Sequence, residues 1–385
     1  MTPDLSTPSS TAPARPRTIY IASPCTPKGG GMYKVADYLV QNQAKTVSGA
    51  SQAELRMLDT RGDGSALSSL GVLVTALGKL FQSGLQGELA GVHVNVAERL
   101  SLLRKGAVIV LSRAIGVPVL LHLHAAQLHS SYPRLPRPLQ ALTRWVFSLP
   151  QGCVVLGQAS RQFVIEQLRV PADRVQVLNN GVPEPSRPRR VPADGRVLRV
   201  LFVGNLSERK GVSDLLAALA RPGFDTQRLA VDIAGGGDVE GYTAKARALG
   251  LHERVRLTGW TDQAGVAQLM ADADVLVLPS YDEGLPLVIL EALANGVAVV
   301  CTPVGEIDSV LSHEKNALLV QPGDVPGLAL ALQRVLSDAP LRQALEQAGR
   351  RLYEERFSVS RFFAELACLH QRHFGVAAQP ADQRR

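Results

Sequence analysis

The chain has 385 residues, 46% of them hydrophobic with a mean hydropathy of +0.07, enough for two packed cores of about 180 residues rather than one. Its net charge of +7 is uneven: residues 1–185 hold 18 Lys and Arg against 10 Asp and Glu, whereas residues 186–385 hold 23 against 24. A basic N-terminal part favours an acidic partner such as acceptor phosphates or an anionic membrane surface, while 5% aromatic residues without a recognition motif exclude nucleic acid as the expected one.

Residues 1–17 are rich in Ser, Thr, Pro and Ala and have no apolar h-region, so they read as a disordered tail rather than a signal peptide. Thr18–Ala22 is a short β-rich run, followed by Lys28, Gly29, Gly30 and Gly31 and a helical pattern from Met32 to about Gln43. Apolar runs at Val92–Val96, Pro118–Leu123, Gly152–Leu156 and Val175–Leu178 alternate with helix-like stretches. Such alternation predicts a parallel sheet covered by helices. Residues 134–147 mix Arg134, Arg137 and Arg144 with Trp145 and Phe147, which fits a membrane-surface helix or an ordinary amphipathic helix with its apolar face on a core.

Residues 183–196 carry four prolines and read as an interdomain linker. Beyond them strands are predicted near 198–203, 229–234, 255–258, 275–279, 297–301 and 317–320, each followed by a helix. The expected organisation is α/β, with two doubly wound parallel sheets in tandem. The N-terminal domain spans 18–182 and the second 197–357; a helix over 358–375 packs back toward the first, and 376–385 is a tail. Ligands bind such sheets at the carboxyl ends of the strands, so the cleft between the domains is the expected site. No run approaches the roughly 20 apolar residues that cross a bilayer. Cys25, Cys153, Cys301 and Cys368 show no paired spacing, which argues against zinc or a disulfide framework and fits a reducing cytoplasm.

The most informative segment runs from Glu283 to Glu291, two carboxylates eight positions apart around an expected helix start. On a helix they would lie about 12 Å and about 80° apart. Pro286 fits a first turn, and the N–H groups of Gly284, Leu285 and Leu287 would form an N-terminus suited to phosphate. Carboxylates accept hydrogen bonds from vicinal hydroxyls, so the array matches a nucleotide sugar: hexose, diphosphate, ribose. With its Gly284-Leu285-Pro286 start, the segment resembles the Glu-x7-Glu signature of retaining, GT-B-fold glycosyltransferases of family 4, the group 1 glycosyltransferases.

Further motifs carry the resemblance across roughly residues 18–375. Gly29, Gly30 and Gly31 fall where the family has a glycine-rich loop facing donor phosphate and acceptor. His122 and His124 end a strand, and His124 matches the histidine that contacts the transferred sugar. Val200–Gly211 resembles the strand-Gly-Arg-Leu-x-x-x-Lys-Gly element whose cations neutralise the leaving diphosphate: Gly204 opens it, Lys210 takes the Lys position, and Asn205 stands where the family has Arg. Arg209 lies one place too close to be a direct replacement. Gly235 and Gly236 match the Gly-rich loop beside the donor, Trp260 lies where the base is approached, and Asn180-Gly181-Val182 matches a structural turn. Val304–Ser309 is a weaker match, with Ser309 where Glu is common. Asn95–Lys105 resembles a subset that builds surface polysaccharides.

The resemblance implies a GT-B fold, two Rossmann-like domains facing a cleft, and a retaining hexosyltransferase that needs neither cofactor nor metal. Glu283 would hold sugar hydroxyls, Glu291 the ribose diol, Lys210 with Arg209 or Asn205 the diphosphate, and His124 the sugar from the opposite domain. Asp272 and Asp274 resemble a metal-binding Asp-x-Asp, but their place between helix and buried strand reads as structural. The expected partners are a nucleotide-sugar donor, a glycan or polyprenyl-diphosphate-linked acceptor, and an anionic membrane surface; the expected place is the cytoplasm, peripheral on the inner face of the plasma membrane. Competing readings are a nucleotide-sugar 2-epimerase and a catalytically degenerate partner subunit of a polysaccharide-assembly complex, the latter prompted by Asn205.

Overall fold

The structure, a computed structural model, describes residues 17–26, 30–44, 52–97, 100–125, 127–189, 197–225 and 228–381. Among these, two parallel sheets form, each of six strands. The first contains β1 (Arg17–Ser23), β2 (Ala53–Asp59), β3 (Leu89–Val96), β4 (Val119–Leu123), β5 (Gly152–Val155) and β6 (Val175–Val177), in the order β2-β1-β3-β4-β5-β6. Its helices are α1 (Gly30–Gln41), α2 (Ala66–Leu85), α3 (Leu100–Ala114), α4 (Leu128–Ser131), α5 (Arg137–Ser148) and α6 (Gln158–Glu166). The chain steps one way from β1 to β2 and the other way thereafter. Right-handed crossovers therefore put α1 on one face and α2, α3, α5 and α6 on the other.

The second sheet contains β7 (Leu198–Val203), β8 (Leu229–Ala234), β9 (Val255–Gly259), β10 (Val275–Leu278), β11 (Ala298–Cys301) and β12 (Leu318–Leu319), ordered β12-β11-β10-β7-β8-β9. It is covered by α7 (Val212–Leu219), α8 (Val239–Ala248), α9 (Gln263–Asp272), α10 (Leu287–Ala294), α11 (Val325–Ser337) and α12 (Ala339–Arg356). Its central strands are buried on both sides, as Val275–Leu278 and Ala298–Cys301 illustrate, which is why they read as unbroken apolar runs.

The last helix, α13 (Val359–Phe374), returns to the first sheet and packs against α1 and β4. Successive strand residues face opposite sides, so β4 sends Leu120 into the core under α1 and α13, and Val119 and Leu121 into the core under the other helices. The first of these cores is continuous with that of the C-terminal lobe through Val182, Phe362 and Phe374. The lobes are thus welded at the Asn180-Gly181-Val182 turn, where Val182 N donates to Phe357 O at 2.9 Å and Val359 N to Val182 O at 2.9 Å.

Three expectations change. β2 has no counterpart in the sequence reading: as an edge strand its Glu54 and Arg56 face outward, breaking the apolar run. The expected tail over 376–385 is structured as far as residue 381, because Ala53 N donates to Ala377 O at 3.0 Å and Ala44 N to Gln379 O at 2.8 Å while Val376 and Ala378 are buried. Finally, α10 begins only at Leu287, with Pro286 as its N-cap in an extended conformation. Glu283 therefore sits in the preceding loop, and the helical spacing of the two carboxylates does not apply. Of the linker, residues 190–196 lie outside the described residues; Arg189 is tied to the C-terminal lobe, donating to Glu346 Oε1 at 2.6 Å.

Candidate active site

The carboxyl ends of both sheets face one cleft of ≈ 670 Å³. From the N-terminal lobe it is lined by Gly30 and Gly31, in the first turn of α1, and by His124 just past β4. From the C-terminal lobe come Gly204, Asn205, Arg209, Lys210, Gly235, Gly236, Trp260, Glu283, Gly284, Leu285 and Glu291. Each candidate residue among the described ones thus borders the same space; Gly29 lies outside the described residues. Among the described lining residues the carboxylates are Glu283 and Glu291, and the cations Lys34, Arg209 and Lys210.

Lys210 and Glu283 meet because two loops dock by their backbones. Tyr281 N donates to Arg209 O at 2.8 Å, and Arg209 Nη1 to Asp282 O at 2.6 Å. Gly211, with φ +69°, lies so close that an added Cβ would stand 2.0 Å from Pro279 O, so only glycine permits this approach. Lys210 Nζ then donates to Glu283 Oε1 at 2.5 Å, and Ser280 Oγ to the same oxygen at 2.7 Å. The Glu283 loop is held from behind by Glu306 N, which donates to Gly284 O at 3.0 Å. At the neighbouring strand ends, a Cβ on Gly235 would lie 1.7 Å from Gly204 O. The need for glycine at 235 is thus met by loop packing, quite apart from any ligand.

Glu291, on α10, is paired across the cleft. Its Oε1 accepts from Lys34 Nζ at 2.9 Å and from Tyr38 OH at 3.3 Å, both on α1. Burial and the adjacent Glu291 raise the Tyr38 phenol far above its ordinary range, so it stays a donor. Glu291 Oε2 is buried with no hydrogen-bond partner among the described residues. Such an orphaned carboxylate oxygen is costly unless something donates to it. Asp272 and Asp274 stand apart from the cleft lining: Asp274 Oδ2 accepts from Arg199 N at 2.8 Å, and Asp272 Oδ2 from Gln268 Nε2 at 3.0 Å. Asp274 thus holds the start of β7, and Asp272 a side chain of its own helix.

Residues 186–352 match the family described as glycosyl transferases group 1. That stretch belongs to the group 1 glycosyltransferases. Glycogen synthase of Mycobacterium tuberculosis is similar to this chain, 28% identical over 253 residues, 63% of this chain and 60% of that protein. The lipopolysaccharide core biosynthesis glycosyltransferase LpsE of Rhizobium meliloti is 35% identical over 168 residues, 43% of this chain and 47% of that one. The chain thus spans between 47% and 60% of the length of these relatives. Among solved structures, Anabaena Alr3699/HepE in complex with UDP has a TM-score of 0.70 at 18% identity, covering 92% of this chain and all of that one. The likeness runs through both lobes and establishes the two-domain GT-B fold.

The N-terminal lobe, which lies outside the matched stretch, adds contacts that its motifs did not foretell. His124 is half-buried, its Nε2 3.3 Å from Asn95 Oδ1, with its ring centroid 4.1 Å from that of His122 and the planes tilted by 38°. His122 Nδ1 lies 3.3 Å from His93 Nε2, and His93 Nδ1 lies 3.0 Å from His370 Nε2 on α13. Burial drives all four imidazoles toward neutrality, His93 down to about 4 and His124 to about 3, with His122 and His370 also well below their ordinary value. A neutral His124 at the cleft is a hydrogen-bonding group rather than a cation. Glu306 also reaches across the lobes, its Oε1 accepting from Ser160 N at 2.8 Å and Ser160 Oγ at 2.7 Å in the first turn of α6. Lys34, Tyr38 and Ser280 carried no sequence signal, and Glu306 only that of the weakly matching Val304–Ser309 segment, because each acts on a partner distant in the chain or through a common residue type.

Proposed function

We propose that this chain is a retaining glycosyltransferase that moves a sugar from a nucleotide-sugar donor to a glycan or polyprenyl-diphosphate-linked acceptor, without cofactor or divalent metal. The observation that carries this reading is the convergence of Lys210, Glu283 and Glu291 with Gly30, Gly31 and His124 on one cleft. Glu283, fixed by Ser280, holds sugar hydroxyls. The unpartnered Oε2 of Glu291 accepts from the ribose diol. Lys210 and Arg209 stabilise the departing diphosphate, whose charge grows as the glycosidic bond breaks, together with the N–H groups of Gly284 and Leu285. Asn205 also borders the cleft beside these cations. His124, neutral, orients the sugar from the facing lobe.

The two carboxylates of the described lining are engaged by cations, and neither is assigned as a nucleophile. For retention without a nucleophile, the family resemblance implies that the acceptor attacks the face from which the diphosphate leaves, and that a donor phosphate oxygen takes the acceptor proton. The UDP bound by HepE supports a nucleoside diphosphate donor, and LpsE supports a role in surface polysaccharide. On this reading the protein works in the cytoplasm, peripherally on the inner face of the plasma membrane where a lipid-linked acceptor is presented.

A thermal-shift screen across UDP-, GDP- and ADP-sugars tests donor binding, because a ligand that binds only the folded state raises its stability by mass action. The stabilising donor is then incubated with lipid-linked and glycan acceptors, and the anomeric configuration of the product is read by NMR. A product with retained configuration is expected. An epimerised donor formed without acceptor would identify a 2-epimerase, and donor binding without turnover on any acceptor would identify a degenerate partner subunit.

A further inference from the structure

Eleven of the sixteen large hydrophobic residues exposed among the described residues lie on three helices, α2, α3 and α5. These helices form one layer on the face of the first sheet opposite α1 and α13, α2 packing on α3 and α3 on α5. On α2 the exposed set is Leu67, Leu70, Val74, Phe81 and Leu85, with Leu67 84% and Leu85 69% exposed. At 100° per residue these five fall within an arc of about 60°. The opposite side of the same helix buries Leu73, Ala76 and Leu80. A helix apolar on both sides needs a cover on both, and α2 has one only on the side of the sheet. From α3 the layer gains Leu100, Leu103 and Val110, and from α5 Leu139, Leu142 and Trp145.

The charges on this layer have one sign. The three helices contain no Asp or Glu; their exposed ionic residues are Lys79, Arg113 and Arg137, with Arg104 and Arg144 half-buried. Acidic residues appear at the two ends of α2, at Asp63 and Glu88 in the flanking loops. An apolar face with only positive charge is matched by an anionic bilayer, whose interior receives the leucines and whose headgroups meet the arginines. A second copy of this chain is a poorer match, since a two-fold contact would set the same cations against one another. Trp145, 49% exposed beside Arg144, suits the headgroup boundary.

We infer that the α2–α3–α5 layer is a membrane-docking face that inserts apolar side chains into an anionic leaflet. The basic stretch at residues 134–147 is one edge of it, not its centre: α5 buries Val146 and Phe147, and Arg144 Nη1 is engaged with Tyr132 OH at 3.2 Å. Each crossover helix begins at the carboxyl edge of the sheet, so Leu67, Leu70, Leu100 and Leu103 lie at the end of the layer nearest the cleft. A lipid-borne acceptor would then reach the His124 side without leaving the bilayer surface. That last step rests on the transferase reading; the docking face does not.

The test is co-sedimentation of the full chain with vesicles of phosphatidylcholine alone or mixed with phosphatidylglycerol, at low and high salt. Binding to the anionic vesicles is expected, weakened but not abolished by salt, because buried apolar area is not screened. The triple variant Leu70→Ser, Val74→Ser, Phe81→Ser is expected to lose about tenfold or more at both salt levels. The variant Lys79→Glu, Arg113→Glu, Arg137→Glu is expected to lose binding chiefly at low salt. Donor-induced thermal shifts should be unchanged in both, which separates failure of the docking face from failure of the proposed activity. Absence of vesicle binding, or wild-type binding by the serine variant, overturns the inference. So does a wild-type dimer in solution that the serine variant dissolves, since the face would then belong to a second copy.

Discussion

Lys210 Nζ and Glu283 Oε1 lie 2.5 Å apart although 73 positions separate them in the chain, and both side chains are largely shielded from solvent. The two residues proposed for diphosphate and sugar are therefore partners of each other. A buried pair of this kind loses several kcal/mol when one member is removed, because the other charge is left without compensation. Lys210→Met and Glu283→Gln are expected to fold with reduced stability and to lose about 10²–10³ in turnover, the usual cost of removing one electrostatic stabiliser. Steady-state kinetics with the stabilising donor, beside circular dichroism of each variant, checks this. Near-wild-type turnover in either folded variant would defeat the assignment of the pair.

Gly211 supplies a second prediction. Its φ of +69° and the 2.0 Å that would separate an added Cβ from Pro279 O leave no room for a side chain. Gly211→Ala should cost more than about 1 kcal/mol of stability, since neither backbone angle nor space suits alanine. Because the Lys210 turn must retreat from the Glu283 loop, turnover should fall as well. A variant with the wild-type melting temperature and rate would mean that the two loops do not dock as described.

These relationships mark where sequence reading stops. The central strands were legible because a parallel strand buried on both faces is a plain apolar run, as at Val275–Leu278 and Ala298–Cys301. β2 was not, because an edge strand carries Glu54 and Arg56 between its buried residues. Gly284-Leu285-Pro286 looked like a first helical turn, yet the extended ψ of 126° at Pro286 defers the helix to Leu287. Candidate residues could be named one by one from their motifs. Their mutual pairing could not: Lys34 with Glu291, Ser160 with Glu306 and His93 with His370 depend on how two lobes and a returning helix come together.

Glu291 differs from Glu283 in what it should control. Its Oε1 is engaged by Lys34 and Tyr38, whereas Oε2 is buried and unpartnered among the described residues. If that oxygen receives the ribose diol, far from the reacting bond, its loss should weaken donor binding in ground and transition states alike. Glu291→Ala is expected to raise the donor KM about tenfold or more, with a smaller change in kcat. A large fall in kcat at unchanged KM would move Glu291 to the reacting centre and contradict the ribose assignment.

Activity is expected to persist in excess EDTA. Lys210 and Arg209 border the cleft, and in the proposed reaction they meet the leaving diphosphate, the task a divalent ion would otherwise perform. Asp272 and Asp274 are engaged with Gln268 and with Arg199 N instead. Equal rates with EDTA and with Mg²⁺ or Mn²⁺ are the expected result. Activity lost to EDTA and restored by either ion would show that the two side chains do not suffice.

The buried histidine chain predicts how stability responds to acid. An unfolded histidine titrates near 6.5, whereas burial holds His93 near 4 and His124 near 3 in the folded protein, with His122 and His370 lowered in the same direction. These groups are neutral when folded, so between pH 6.5 and 4 the unfolded chain binds protons that the native protein does not. Their contribution is thus fully present above pH 6.5 and is lost as pH falls toward 4, by up to about 1.4 kcal/mol per pH unit for each group. Urea unfolding between pH 7.5 and pH 5 should therefore show stability falling well before the bulk of the carboxylates titrate. Burial lowers His129 and His373 as well, so the double variant His93→Gln, His370→Gln, which removes two of six lowered imidazoles, should show a clearly shallower slope in this window whatever the absolute stability. An unchanged slope would mean that these buried histidines are not the seat of the acid response.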